Sequence, residues 1–173
     1  MTAPGPAALA ADWLMLTRSA EETEAVGATL ADAMPPPLQR PAVLYLSGEL
    51  GAGKTTLVRG FLRRRGLAGP ARSPTFTLLE CHELAGLTAV HLDLYRLREP
   101  RELEAIGARD LARPGHVWLV EWPERGDEYL PPADLIVTLS VRALEEHAIG
   151  AAARSPLGAA WLERAVEISP RST

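Results

Sequence analysis

The chain has 173 residues, 47% of them hydrophobic and 23% charged, with a formal net charge of −4. That is ordinary globular composition, long enough for one domain with a core. The acidic balance argues against a broad, non-specific nucleic-acid binder and leaves room only for a local basic patch. The first eleven residues, Met1–Ala11, are Ala/Pro-rich. They lack the basic start and sustained apolar core of a signal peptide and read as a flexible tail. Trp13–Thr17 reads as a short strand. Ser19-Ala-Glu-Glu22 fits a capping box, and Glu21–Met34 carries helical spacing through Val26 and Leu30 until Pro35, Pro36 and Pro37 end it. Ala42–Leu46 is an apolar run expected to form the central strand, followed by a Gly-rich loop and a helix over Thr55–Arg65. Arg63, Arg64 and Arg65 read as a solvated helix end, favourable against the C-terminal dipole. Phe76–Glu80 and Ala89–Leu94 are expected strands joined across Gly86, and Glu99–Ile106 a short helix with Leu103 and Ile106 inward. Val117–Val120 is a clean apolar run ending in Glu121, Asp134–Leu139 a further strand, and Leu157–Val166 a terminal helix. Cys81 is the sole cysteine, so no intrachain disulfide forms and a structural zinc site lacks ligands. No apolar run reaches the length of a membrane span.

Intermixed strands and helices predict an α/β fold. The expected form is a single P-loop NTPase-like domain over residues 12–168, with a mixed, mostly parallel sheet flanked by helices and a short tail at 169–173. A soluble, cytoplasmic protein with no membrane contact is the default expectation.

The loop is Gly48, Glu49, Leu50, Gly51, Ala52, Gly53, Lys54 and Thr55, a complete G-x-x-x-x-G-K-[ST] (Walker A) pattern between a strand and a helix. Its glycines let successive N–H groups turn inward toward phosphate oxygens, and the helix N-terminus adds unpaired donors and its dipole. Lys54 supplies a point charge to the β- and γ-phosphates, and the Thr55 hydroxyl is a ligand for Mg²⁺. Hydrolysis or transfer further needs acids at strand ends. Asp93 ends the run Ala89-Val-His-Leu92, which His91 interrupts, and Glu121 ends the cleaner one. Carboxyl ends of parallel strands line the ligand crevice, so both acids are candidates to hold metal and water. As plain strand-end acids they would simply be solvated. Ser73-Pro-Thr75-Phe76 lies where a γ-phosphate-sensing switch sits in many phosphate-loop proteins, and equally fits a proline turn entering a strand. Trp122 offers a ring to a base or partner, or packs as a half-buried structural residue. His82, His91, His116 and His147 lack metal-ligand spacing and read as surface or core histidines.

Four segments together resemble one family. Gly-Glu-Leu-Gly-Ala-Gly-Lys-Thr-Thr56 (48–56), Ser-Pro-Thr-Phe-Thr-Leu (73–78), His-Leu-Asp-Leu-Tyr-Arg-Leu (91–97) and Val-Glu-Trp-Pro-Glu (120–124) fall in the order and spacing of TsaE, older name YjeE. This is the bacterial ATPase of tRNA threonylcarbamoyladenosine synthesis. The likeness runs over residues 17 to 141. It implies a small cytoplasmic ATPase that uses ATP and Mg²⁺, is weakly active alone and monomeric alone, and docks on the TsaB–TsaD heterodimer. It also implies contact with tRNA indirectly, through that complex. Carried over by residue, it gives Lys54 and Thr55, with Thr56 beside them, to phosphate and metal. Glu121 becomes a metal-associated acid and Asp93 the second acid of hydrolysis. Ser73 and Thr75 become the switch, and Trp122, Pro123 and Glu124 the nucleotide edge. The family often carries a basic residue after its last long strand, where this chain reads Ala143-Leu-Glu-Glu-His147, with Arg142 the nearest substitute. A small phosphotransferase is the rival enzyme reading, but only one short helical insertion separates Asp93 from Glu121. A nucleotide sensor without hydrolysis is the third.

Overall fold

The computed structural model describes residues 12–36 and 39–169. The expected N-terminal tail, Pro37 and residues 170–173 lie outside the described residues. The elements are β1 (Trp13–Thr17), α1 (Ala20–Ala33), β2 (Ala42–Ser47), α2 (Lys54–Arg64), β3 (Leu79–Leu84), β4 (Leu87–Asp93), α3 (Glu102–Ala105), β5 (His116–Glu121), β6 (Leu135–Ala143), β7 (Glu146–Ala153) and α4 (Pro156–Ile168), with three short 3-10 turns.

The strands form one seven-stranded sheet in the order β1-β7-β6-β2-β5-β4-β3. The central four, β6, β2, β5 and β4, are mutually parallel. β7 and β3 run against them, and β1, antiparallel to β7, runs with them, so five of the seven strands share one direction. The expected α/β sheet is therefore present, mixed at its edges and parallel in the middle. Alternation along the strands divides the core. Leu44, Leu46, Val117, Leu119 and Val137 face α1, α2 and α4. Val43, Val90, Leu92, Trp118 and Val120 face the 94–130 segment on the other side.

Two contacts brace the elements around the loop, one seating α2 on α1 and the other tying the start of β2 to the start of β6 and α4. Ser19 caps α1 by accepting from the Glu22 amide at 3.1 Å, while the Glu22 carboxylate accepts from the Arg18 amide at 2.6 Å. α1 then crosses α2 backbone to backbone. A Cβ at Gly27 would lie 2.0 Å from the Leu57 carbonyl oxygen, and one at Gly60 2.0 Å from that of Glu24. The second is a buried staple at the start of β6. Asp134 accepts from Arg40 at 2.6 and 3.0 Å and from the Val43 amide at 2.9 Å. It also accepts from Ser155, the N-cap of α4.

Several expectations shift. The strand expected at Phe76–Glu80 begins at Leu79, because Leu78 turns the chain with φ 62° and its amide bonds back to the Pro74 carbonyl. The helix expected over Glu99–Ile106 shortens to Glu102–Ala105. Leu103 is buried as expected, but Ile106 is 40% exposed. Arg63 and Arg64 are exposed in the last turn of α2, as expected of a solvated helix end, and they also pair with Glu24 and Asp32 of α1. β7 was not anticipated. Its Ala/Gly-rich stretch carries a weak strand pattern, and pairing with both β1 and β6 decides it.

Candidate functional site

The loop grows from the end of β2. Gly48, at φ 149°, passes so close to β6 that a Cβ there would lie 2.3 Å from the Leu139 carbonyl oxygen. Gly53 caps α2 in the left-handed region at φ 104°. Between them the Ala52 amide closes onto the Glu49 carbonyl at 3.1 Å, and the Glu49 carboxylate ties the loop to β6 through the Val141 amide. Lys54, the first residue of α2, folds back across this loop. Its ammonium donates to the carbonyls of Gly48 at 2.6 Å and Glu49 at 2.9 Å and lies 3.9 Å from the Trp122 ring centre. Burial holds its pKa below the ordinary lysine value, while Glu121, Glu124, Asp93 and Glu49 pull the other way.

Parallel pairing of β4 with β5 sets Asp93 directly opposite Glu121 at the strand ends, on the face toward α2. Both carboxylates are buried. Glu121 accepts from the Thr55 hydroxyl at 2.8 Å through Oε2 and lies 2.8 Å from His91 Nε2 through Oε1. Asp93 accepts from the Ser73 hydroxyl through one oxygen and from the Tyr95 amide at 3.1 Å through the other. The solvated reading of these acids is therefore excluded. Lys54, Thr55, Thr56, Ser73, Thr75, Asp93, Glu121 and Trp122 line one cavity of about 400 Å³ with Leu50, Gly51 and Gly53. The carboxylates and hydroxyl make an all-oxygen donor set, the kind a hard cation takes.

Trp122 roofs this cavity from a left-handed backbone, φ 59° and ψ 50°, which is uncommon for a bulky side chain. Its ring stands 5.0 Å from that of Tyr95, with the Arg125 guanidinium 5.4 Å from the tyrosine. Pro123 is buried and Glu124 exposed, and neither lines the cavity. The Ser73–Phe76 segment opens the proline turn that leads into β3, with Pro74 buried, and at the same time borders the cavity. Ser73 and Thr75 turn into the cavity, while Phe76 is 87% exposed beneath the Arg96 guanidinium.

On the loop's other flank a second cavity of about 510 Å³ is lined by Arg18, Thr23, Gly51, Gly53, Thr56 and His147 among others. His147 Nδ1 lies 2.8 Å from the Ala52 carbonyl. Arg142, the substitute weighed from the sequence, lies in β6 and is exposed, whereas His147 of β7 reaches the loop.

Sequence reasoning missed His91, Tyr95 and His147 as site residues. For His91 a signal was present, a polar residue interrupting a buried parallel strand. Tyr95 follows Asp93 by two residues in the 91–97 segment, and only His147 depends on the folded register alone.

The family described as Threonylcarbamoyl adenosine biosynthesis protein TsaE matches residues 17–149. The chain is 46% identical over 101 residues to the tRNA threonylcarbamoyladenosine biosynthesis protein TsaE of Haemophilus influenzae, a match covering 58% of this chain and 64% of that protein. It is 35% identical over 131 residues to the protein of the same name from Treponema pallidum, covering 76% and 92%. With that of Bacillus subtilis it shares 35% over 133 residues, covering 77% and 80%. A crystal structure of Bacillus subtilis YdiB superposes with a TM-score of 0.71 at 27% identity, covering 90% of this chain and 94% of that one. With its phosphate loop, paired strand-end acids and Ser-Pro-Thr-Phe segment converging on one cavity, and with the match running across most of its length, the chain belongs to the TsaE family.

Proposed function

We propose that the chain is a Mg²⁺-dependent ATP hydrolase that sustains threonylcarbamoyladenosine modification at position 37 of ANN-decoding tRNAs. In this reading it acts in the cytoplasm with a TsaB–TsaD heterodimer and meets tRNA through that complex. Membership of the TsaE family supports the pathway. The observation that carries the chemistry is the Thr55 hydroxyl bonded to Glu121, with Asp93 beside it and Lys54 across the cavity. Among the described residues no helix is long and apolar enough to cross a membrane.

The residues fit the metal. Among the described residues no group of three or more His, Cys, Asp or Glu stands together to hold an ion. Mg²⁺, however, is ordinarily held by one or two carboxylates plus substrate phosphates and water rather than by an all-protein cage. Thr55, Glu121 and Asp93 would supply that share. Bound Mg²⁺ neutralises charge on the phosphoryl oxygens. Lys54 leaves the Gly48 and Glu49 carbonyls to bond phosphate, and the loop amides take the remaining oxygens. Glu121 is bonded to Thr55, the hydroxyl that would meet the metal, so Glu121 is assigned to the metal and Asp93 to orienting the attacking water.

Weak activity alone follows from the way Asp93 is held. One of its oxygens is bonded by Ser73, on the segment whose Phe76 is the most exposed large apolar group near the cavity. A partner docking over Phe76 would draw Ser73 away and free that oxygen. The test is phosphate release with and without TsaB–TsaD, alongside multi-turnover threonylcarbamoylation of tRNA from preformed threonylcarbamoyl-adenylate. Both rates are expected to rise when this chain and its partners are combined. No rise in tRNA turnover, with phosphorylation of a small metabolite instead, would replace this reading with a kinase.

A further inference from the structure

His91 is the one imidazole in β4, 1% exposed, in a strand otherwise apolar between Ala89 and Leu92. An aliphatic residue would fill the position without polar atoms to satisfy. The histidine instead leaves Nδ1 buried with no partner among the described residues, a state that disfavours folding. Its Nε2 lies 2.8 Å from Glu121 Oε1. An ionised carboxylate only accepts, so Nε2 is the donor in this pair.

The sheet register explains the reach. His91 pairs with Leu119 and Asp93 with Glu121, all on the face toward α2, so His91 sits one pleat behind Asp93. β4 thus carries one acid at its tip and, two residues earlier, a donor to the acid on β5. The donors to the Glu121 side chain among the described residues are Thr55 and His91. Thr55 belongs to the first turn of α2, beside the phosphate loop. His91 belongs to the sheet.

We infer that His91 is a positioning residue whose Nε2–H fixes the Glu121 carboxylate on the sheet, so that its other oxygen stays aimed at Thr55 and the phosphate loop. Partners of this kind orient a liganding group and make it more effective toward a cation. A small displacement of a reacting group is enough to slow turnover severely. The kinetic side of the inference rests on the ATPase reading. The hydrogen-bond side does not.

The first arm is ¹⁵N NMR of the full chain without nucleotide, with the His91 signal assigned by its loss in His91→Gln. A proton on Nε2 is expected. An unprotonated Nε2 overturns the inference whatever the protein's activity. The second arm measures the Mg²⁺ concentration that half-saturates ATP binding and the steady-state constants. His91→Leu, which keeps the bulk, should raise that concentration about 10- to 100-fold and lower kcat with little change in KM at saturating Mg²⁺. His91→Gln, whose amide nitrogen can stand where Nε2 stood, should recover most of the loss. In a Glu121→Gln background, His91→Leu should add little. Equal behaviour of the Leu and Gln variants, or wild-type Mg²⁺ dependence in His91→Leu, sinks the proposal. Melting curves establish that each variant is folded, and if the Leu variant is not, the Gln variant and the NMR arm decide. A wild-type chain that neither binds nor hydrolyses ATP refutes the ATPase reading, and the tautomer result then stands by itself.

Discussion

Lys54→Met separates the fold from phosphate binding, because the lysine's bonds in the ligand-free loop are local. The ammonium touches two loop carbonyls and the Trp122 ring, all at the rim of the cavity. Methionine keeps the stem and the contact with the indole, so the unliganded variant should remain folded. Ligand binding is another matter. A Mg-nucleotide at about 100 times its dissociation constant stabilises the native state by about 2.7 kcal/mol. At about 2–4 °C per kcal/mol for a chain of this size, wild type should melt about 5–11 °C higher with ligand. The hydrogen bond that Lys54 would make to phosphate is charge-assisted, and losing it costs about 1.5–3 kcal/mol, or about 10- to 150-fold in affinity. At the same ligand concentration the variant should then gain only about 0.3–1.3 kcal/mol, a shift of about 1–5 °C. Thermal denaturation with and without Mg-ATP reads this directly. A ligand-induced shift equal to wild type in folded Lys54→Met would refute the phosphate role. No shift in the wild type with ATP, ADP or GTP plus Mg²⁺ would refute the site.

Asp93→Asn should leave nucleotide affinity within a few-fold and abolish phosphate release with or without partners, since its contribution arises in the transition state. Glu121→Gln should weaken nucleotide binding only when Mg²⁺ is present, as measured by titration calorimetry with and without chelator. Gly60→Ala should destabilise by about 1–3 kcal/mol, because the new Cβ meets the Glu24 backbone at 2.0 Å and the two helices must part. Asp134→Asn probes the staple under β6. Burial opposes the Asp134 charge, but Arg40, Ser155 and the Val43 amide outweigh it and hold the pKa below the usual carboxylate value. The wild-type advantage in urea unfolding should therefore be full above about pH 5 and fade as the pH falls through that depressed pKa. An advantage that grows toward acid would contradict the assignment.

The sequence exposes the fold where a single element declares itself. Ser19 and Glu22 mark the start of α1, the 42–46 run and the loop mark β2 and α2, and the clean run ending at Glu121 marks β5. It fails where tertiary pairing overrides local preference. β7 is built from alanine and glycine and becomes a strand because β1 and β6 supply partners on both sides. Ile106 has helical spacing, yet α3 ends after Ala105 and leaves its side chain facing solvent. Arg63 and Arg64 form the exposed, dipole-compensating helix end the chain suggests, and only the α1–α2 crossing reveals that Glu24 and Asp32 pair with them.

The site divides along the same line. Its motifs are contiguous, so Lys54, Thr55, Ser73, Asp93 and Glu121 are all nameable from the chain alone, and the structure brings them to one cavity. What holds them is not contiguous. His91 stands 30 residues from Glu121, and only parallel registration of β4 on β5 sets it one pleat behind the paired acids. That registration belongs to the pairing of whole strands, which no window of sequence contains. A polar residue buried in a parallel strand is still a usable signal. The interior penalises it unless a partner exists, and in this fold the polar partners buried nearby are those the site itself requires. The interruption at His91 was therefore information about Glu121, and it becomes legible once the neighbouring strand is known.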